Sequence, residues 1–593
     1  MCAIAAIYAY HYAAPEVDRG ELSLIRDAMS RRGPDGKGEW ISADGRVGLG
    51  HRRLAIIDLS ERAAQPMFNK EKTVGVSFNG EIYNYRELRQ RLEAKGKSFF
   101  SNSDTEVLLH LYEEKGDAML GDLRGMFAFV LWDSQSKTML LARDPYGIKP
   151  LYYADDGWTL RIASQVKALL QSPKVSKLKD PAGHAGFFLT GSVPEPFTLY
   201  QEIRQVPAGC YVRVDETGPS LPKKYFSIAT TFGDSVNGSS QVSIEAALEN
   251  SIRHHLVADV PVGIFLSSGV DSTVLAGLAS SISSAPVRSI TLAFQEFKGT
   301  PEDETVLADR TAKALGLDHR TRTLTAKEFD EDLDKVLNAM DQPSIDGVNT
   351  YFVSKAAYEI GLKVALSGVG ADELFGGYPS FDQIPKLNRW LQLPSGIPFA
   401  GVALRKVIPP SVCKPKYKSI LEYGGACEGA YLLKRGLFMP WELADILGKD
   451  FAKEGLKRLE LIRLYGDVVG KAGTDSFSRV AALEASFYLR NQLLRDTDWA
   501  GMAHSLEIRT PYVDTELLKA IACPSNLSLV KKERKKVMAA ALRSGLSEDV
   551  FRRPKTGFGV PVERWLETGN AQIQPKSHRS RRWAHAVYER IAG

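Results

Sequence analysis

Phe265-Leu266-Ser267-Ser268-Gly269-Val270-Asp271-Ser272-Thr273 closes an apolar run, Val260–Leu266, and opens a helical stretch from Asp271. A short apolar run, a loop of small residues and a helix start, in that order, make an anion site. The small residues let backbone N–H groups approach a phosphate, and the helix dipole favours its charge. Ser267 and Ser272 add hydroxyl donors. Asp271 cannot donate to a phosphate, but it can hold Mg²⁺ against phosphate oxygens. A Walker A loop is the competing phosphate site. Its best match, Gly96-Lys97-Ser98, fails because Arg91 stands where the first glycine must be.

Working outward, Ser289–Phe294 and Lys363–Ser367 are further apolar runs set between helical stretches, which predicts βαβ units and a parallel sheet. The last run leads into Leu366-Ser367-Gly368-Val369-Gly370-Ala371-Asp372-Glu373-Leu374-Phe375-Gly376-Gly377-Tyr378. Ligand sites in parallel sheets gather at the carboxyl ends of strands, so Asp271 and Asp372 can meet there. From about residue 380 the pattern is mostly helical. Toward the N-terminus, residues 1 to about 215 read as short β segments such as Val74–Asn79, Ala128–Trp132 and Thr138–Ala142. Helices at Glu21–Arg31 and Thr105–Lys115 interrupt them. That is an α+β pattern with mostly antiparallel strands. Ser227–Gln241 is rich in Ser, Thr and Gly and reads as a linker. The expected organisation is two domains, 2–215 and 241–593, joined by 216–240.

Composition excludes several classes. Of 593 residues, 44% are hydrophobic and 25% charged, which rules out wholesale disorder. Lys and Arg number 76 against 71 Asp and Glu, and a net charge of +5 on this length does not call for nucleic acid. No stretch reaches the ~18 apolar residues of a membrane span. The longest uncharged segment, Trp390–Leu404, contains Pro394 and Pro398 and reads as a loop leading into a short helix. The N-terminus lacks a basic signal-peptide region. The five cysteines are scattered without metal-ligand spacing, which suits a cytoplasmic protein.

Cys2 follows Met1, and removal of Met1 would give it a free α-amino group beside its thiol. With an amine pKa of about 7.7–8.0, that group can act as base for its own nucleophile. Downstream come Arg32-Gly33-Pro34-Asp35, His51-Arg52-Arg53-Leu54-Ala55-Ile56-Ile57-Asp58, Asn79-Gly80-Glu81 and Ser103-Asp104-Thr105-Glu106. An Asn amide and a Gly N–H can serve an oxyanion, an Arg can clamp a carboxylate, and an Asp at a helix start can pair with an ammonium.

These motifs resemble the glutaminase domain of class II glutamine amidotransferases, and with the second half the chain resembles the glutamine-hydrolysing asparagine synthetase family. The resemblance implies an N-terminal-nucleophile αββα glutaminase sandwich. A parallel-sheet, ATP-pyrophosphatase-like synthetase domain with a helical C-terminal part would follow it. By resemblance, Cys2 attacks the glutamine amide and Asn79 and Gly80 stabilise the oxyanion. Arg53 holds the α-carboxylate and Asp104 the ammonium, and Leu54, Ala55, Ile56, Ile57 and Glu81 line the pocket. ATP would lie against Leu266, Ser267, Gly269, Asp271, Ser272, Leu292, Ser367 and Gly368, with Mg²⁺ on Asp271 and Asp372. Lys535, in the run Lys531–Lys536, is the expected phosphate lysine, with Lys536 as its rival.

The chain departs from the family at two points. Ser268 replaces a glycine of S-G-G-x-D-S; its Cβ narrows the backbone, and Gly269 is expected to keep the loop intact. Val369 stands where the family carries Glu in S-G-E-G-S-D-E, a residue tied to forming the β-aspartyl adenylate. The acceptor would face Asp346, Asn349, Thr350 and Val369. There Asp346 could pair an ammonium, and Asn349 and Thr350 a carboxylate. L-aspartate is the leading acceptor; a sugar uronic acid or cell-envelope carboxylate is the alternative, and a non-enzymatic relative a weaker one. A homodimer is the expected assembly.

Overall fold

A computed structural model describes residues 2–234, 243–391, 415–542 and 579–592, together with positions 402, 405, 561 and 565. The N-terminal half is built on two antiparallel sheets. In the first, Ala3–Tyr8 lies between Leu160–Ala163 and Val47–Arg53, with Gly36–Ile41 at one edge and Ile203–Gln205 at the other. In the second, Val74–Ile82 pairs with Gly125–Asp133, which pairs with Thr138–Arg143 and so on to Cys210–Asp215.

Ala3–Tyr8 is buried at all six positions. Alternate residues of a strand face opposite ways. Ile4, Ala6 and Tyr8 therefore meet Ala128, Val130 and Leu141 of the second sheet. Ala3, Ala5 and Ile7 meet Leu22 and Ile25 of the helix Arg19–Asp27. The outer face of the second sheet packs Val76, Phe78, Phe127 and Phe129 against Leu88, Leu92, Val107 and Leu108 of Tyr85–Glu93 and Thr105–Lys115. The layers run helix, sheet, sheet, helix, as the resemblance implied.

The C-terminal half contains a five-stranded parallel sheet. Its order is Asp318–Leu324, Arg288–Phe294, Val262–Phe265, Val364–Leu366, Glu507–Arg509. The chain leaves Val262–Phe265 in one direction along the sheet and later returns on its other side. The strand order therefore reverses between Val262–Phe265 and Val364–Leu366. That switch point is where α/β sheets open a crevice at their carboxyl ends, and both phosphate-site loops begin there. Helices fill the remainder, and the turns widen to π-helical over Glu484–Leu494.

Part of the stretch read as linker is folded. Gly218–Pro219 and Lys223–Lys224 pair with Cys210–Asp215. Ser227 caps a helix, Ile228–Gly233, that buries Ile228, Ala229 and Phe232. The Ser/Thr-rich composition hid those three apolar residues, spaced to share one helix face. Residues 235–242 lie outside the described residues. The helix Pro181–Thr190, early in the chain, buries Ala182, Phe187 and Phe188 in the core of the C-terminal half. Of the uncharged segment Trp390–Leu404, Trp390 and Leu391 end the helix Ser380–Leu391; the rest, except position 402, lies outside the described residues. No described helix is long and apolar enough to cross a membrane.

Two candidate active sites and the contact between them

Cys2 sits one residue before the central strand of the first sheet and is 9% exposed. Its backbone N–H donates to Asn79 Oδ1 at 3.1 Å, and its Sγ lies 3.9 Å from Leu54 O. Burial pushes the thiol pKa up, while the nearby amino terminus pulls it down. Asn79 is fully buried, and its Nδ2 makes no hydrogen bond. An amide with its oxygen held and its NH₂ unsatisfied is a poised donor, because leaving it unpaired in the interior costs about 1–3 kcal/mol.

Gly80 follows at φ +145°, and a Cβ there would stand 2.0 Å from Met126 O, so no other residue fits. Asp104 is buried at the start of its helix and accepts from Ile82 N–H at 2.9 Å. Burial pushes its carboxyl up to about 6 against that hydrogen bond. Arg53 donates to the carbonyls of Asp58 and Ser60, which fixes the turn after Leu54–Ile57. Ala55 N–H is held by Asp35. Leu54 and Ile56 pack on Val364 and Met502, so the wall of this pocket is wedged into the other half.

The second site is a cavity of 250 Å³ at the switch point. Its wall includes the predicted Leu266, Ser267, Asp271, Ser272, Leu292, Ser367, Gly368 and Asp372, and on the acceptor side Asn349, Thr350 and Val369. The Ser272 hydroxyl ties the loop together: it accepts from Ser267 N–H at 3.0 Å and lies within hydrogen-bond reach of the Ser267 and Gly269 carbonyls. The loop survives Ser268 for a different reason from the one expected. Gly269 has φ −81°, open to any residue, whereas the Ser268 hydroxyl turns away to donate to Glu304 at 3.0 Å.

Three predicted residues are not in the cavity wall: Gly269, Asp346 and Lys535. Gly269 remains in the loop, its N–H donating to Ser267 Oγ at 3.2 Å. Arg534 reaches both aspartates, its Nη2 lying 2.6 Å from Asp372 and 3.4 Å from Asp271. The helix Pro524–Ala540 breaks at Glu533 (φ −143°, ψ 46°), which resets the facing of the basic run. Lys536 instead pairs with Glu533 at 2.7 Å.

Asp346 is half-buried next to the acceptor-side residues and accepts from Gly347 N–H at 2.9 Å. It faces a buried carboxyl, Asp496, held by Ser344 and Trp499 at 2.9 and 2.7 Å. Burial raises both acids, and Asp346 raises Asp496 further. Sequence reading also passed over Glu373, a buried carboxyl in the wall that accepts from the Tyr378 hydroxyl at 2.7 Å.

Asp271 and Asp372 offer two hard oxygens in one cavity wall, and no described cluster holds three or more potential metal ligands. That set fits Mg²⁺, which binds through one or two carboxylates plus substrate phosphates.

The late segment 495–514 joins the two sites. Asp498 clamps Arg32 at 2.6 and 2.9 Å, and Arg32 Nε reaches Cys2 O at 3.4 Å. Asp514 clamps Arg124 at 2.8 and 2.9 Å. The Tyr512 hydroxyl donates to Asp271 O at 2.8 Å, and Arg509 lies 3.2 Å from Glu81. Thr497, next to Asp498, lines the 250 Å³ cavity. Arg32 stood in a quoted motif without a role, because its partner lies 466 residues away.

Comparison with known proteins follows the same division. A family described as glutamine amidotransferase domain matches residues 1–226, and one described as asparagine synthase matches residues 243–580. The glutamine-hydrolyzing asparagine synthetase 1 of Bacillus subtilis is 32% identical over 577 residues, covering 96% of this chain and 88% of that protein. Asparagine synthetase B of Escherichia coli is 32% identical over 407 residues, covering 65% and 66%. Amidase chry2 of Gibberella zeae is 31% identical over 385 residues, covering 61% and 56%.

Proposed function

The chain belongs to the glutamine-hydrolysing asparagine synthetase family and is an ATP-dependent ligase with glutamine as amido donor; on that premise we propose that it converts L-aspartate to asparagine. The observation that carries the glutamine half is the divided Asn79 amide, its oxygen on Cys2 and its buried NH₂ unsatisfied.

With Met1 removed, the α-amine takes the thiol proton and Sγ attacks the glutamine amide carbon. Asn79 Nδ2 and Gly80 N–H receive the oxyanion, a contribution worth about 10²–10³ in rate per donor. Arg53 holds the α-carboxylate and Asp104 the ammonium. Ammonia leaves, and water releases glutamate from the thioester. The ammonia passes along the Arg32–Asp498 contact toward Thr497, shielded from water by the packed interface.

In the cavity, a carboxylate oxygen of the acceptor attacks the α-phosphate of ATP. Pyrophosphate departs, and ammonia displaces AMP from the acyl adenylate. Mg²⁺ on Asp271 and Asp372, when bound, supplies charge neutralisation on pyrophosphate. The loop N–H groups and the Ser267 and Ser272 hydroxyls orient the phosphates.

A second acceptor class, a sugar uronic acid or cell-envelope carboxylate, is favoured by one feature. Val369 lies in the wall and can neither ionise nor accept a hydrogen bond. Against it, half-buried Asp346 and the buried Asp496 whose carboxyl it raises put two acids near Asn349 and Thr350, which suits an acceptor bearing an ammonium group. ATP–pyrophosphate exchange across a panel of carboxylates decides between them. Exchange driven by L-aspartate and weakened by Asp346→Ala is expected. Exchange with a uronic acid and none with saturating L-aspartate would replace the asparagine reading.

A further inference from the structure

Arg509 is fully buried and belongs to both sites at once. Its carbonyl accepts from Ser367 N–H at 2.8 Å, in register with Leu366, and so holds the first residue of the second nucleotide loop. Its guanidinium points the other way. Nε donates to Glu507 at 2.7 Å, and Nη1 to the carbonyls of His255 and Val257 at 2.8 and 2.6 Å. Nη2 faces Glu81, the residue after the oxyanion glycine, at 3.2 Å.

This last contact is the loose one. Neither Arg509 Nη2 nor Glu81 Oε2 makes a hydrogen bond. A buried guanidinium and carboxyl with donor and acceptor both unsatisfied can still gain contacts by small movement. Glu81 precedes Ile82, whose N–H holds Asp104. Tightening the pair would therefore order the oxyanion glycine and the ammonium-binding carboxylate together.

We infer that Arg509 is a positioning residue that links glutamine binding to nucleotide binding. This rests on the reading that glutamine binds beside Glu81 and ATP beside Ser367. ATP settling on the Ser367 loop fixes the strand Glu507–Arg509, and with it the guanidinium. Glutamine then meets a Glu81–Asp104 wall whose ordering cost has already been met, which gives positive cooperativity. By linkage, glutamine must strengthen nucleotide binding by the same factor.

The experiment uses the full chain with Cys2→Ala, so that glutamine is not turned over. Glutamine is titrated with and without Mg²⁺ and a non-hydrolysable ATP analogue, and the analogue with and without glutamine. The expected result is a matching increase in affinity of about fivefold or more in both directions. Arg509→Lys, which keeps the charge and loses the fork, should bring the factor near one. If that variant does not fold, Glu81→Gln decides, with the same expectation. Binding of both ligands with no linkage in the parent protein overturns the inference and leaves the functional reading standing. A factor that survives Arg509→Lys or Glu81→Gln overturns it too. Failure of glutamine or the analogue to bind at all counts instead against the functional reading.

Discussion

Around Cys2 the polar groups are few, buried and left with capacity to spare: Asn79 Nδ2 has no partner, and Asp104 carries a carboxyl raised to about 6. Around Asp271 the polar groups are exposed to a cavity of 250 Å³, and their charge is already answered by Arg534. The first site is preorganised for a small, neutral reacting centre, where fixed donors need no rearrangement. On the proposed reading the second receives a polyanion with its metal, and there the protein supplies carboxylates held by a cation of its own. A site for an amide can be finished in advance, whereas a site for triphosphate has to exchange one cation for another when its ligand arrives.

The largest effect that tests this contrast is the loss of the nucleophile. Cys2→Ala should lower glutamine-dependent amide formation by about 10⁴-fold or more, with ammonium chloride still serving as nitrogen donor. Equal loss with both donors would mean that the two sites are not separable. Next, Asp372→Asn should cut AMP formation by roughly 10²–10³-fold while glutamate release continues. Normal AMP formation would remove Asp372 from the metal site.

A milder effect is expected from pH. Asp104 must be ionised to take the ammonium of glutamine, and its raised pKa places the loss of charge near pH 6. Below that point glutaminase kcat/KM should therefore fall by about a further tenfold per pH unit, on top of the slope that protonation of the Cys2 α-amine sets below about pH 8. Asp104→Asn should be slow at every pH and lack that limb. A limb that persists in this variant belongs to another group. Smallest of all, Ser268→Gly should change the KM for ATP by no more than about twofold, because the serine hydroxyl faces Glu304 rather than the cavity.

The features legible in the sequence were local ones. Thr105–Lys115 and the strand cores at Val74–Asn79 and Ser289–Phe294 follow from apolar spacing and β-branched content, and the structure has them within a few residues. The two loops at the switch point could be placed because strand, small residues and helix are adjacent in the chain. What could not be read depends on distant partners or on a single backbone angle. Asp496 is pushed further up by Asp346, 150 residues earlier, and the helix breaks at Glu533, just before the Arg534 that reaches the aspartates. One residue of offset turns a helical side chain by about 100°, so a run of six charged residues does not reveal its inward member.

The contacts that hold the halves together have a further consequence. Arg32–Asp498, Arg124–Asp514, Asp35–Lys363 and Glu81–Arg509 are side-chain pairs, and the helix Pro181–Thr190 sits in the opposite core. A break in the backbone between Asp234 and Ser243 would sever none of them. Two polypeptides made separately would carry every group needed to find each other, as subunits of a heterodimer do. The covalent join therefore serves dosage more than adhesion. On the proposed reading it provides one source of ammonia for each consumer, a ratio that two independently expressed genes would have to be regulated to match.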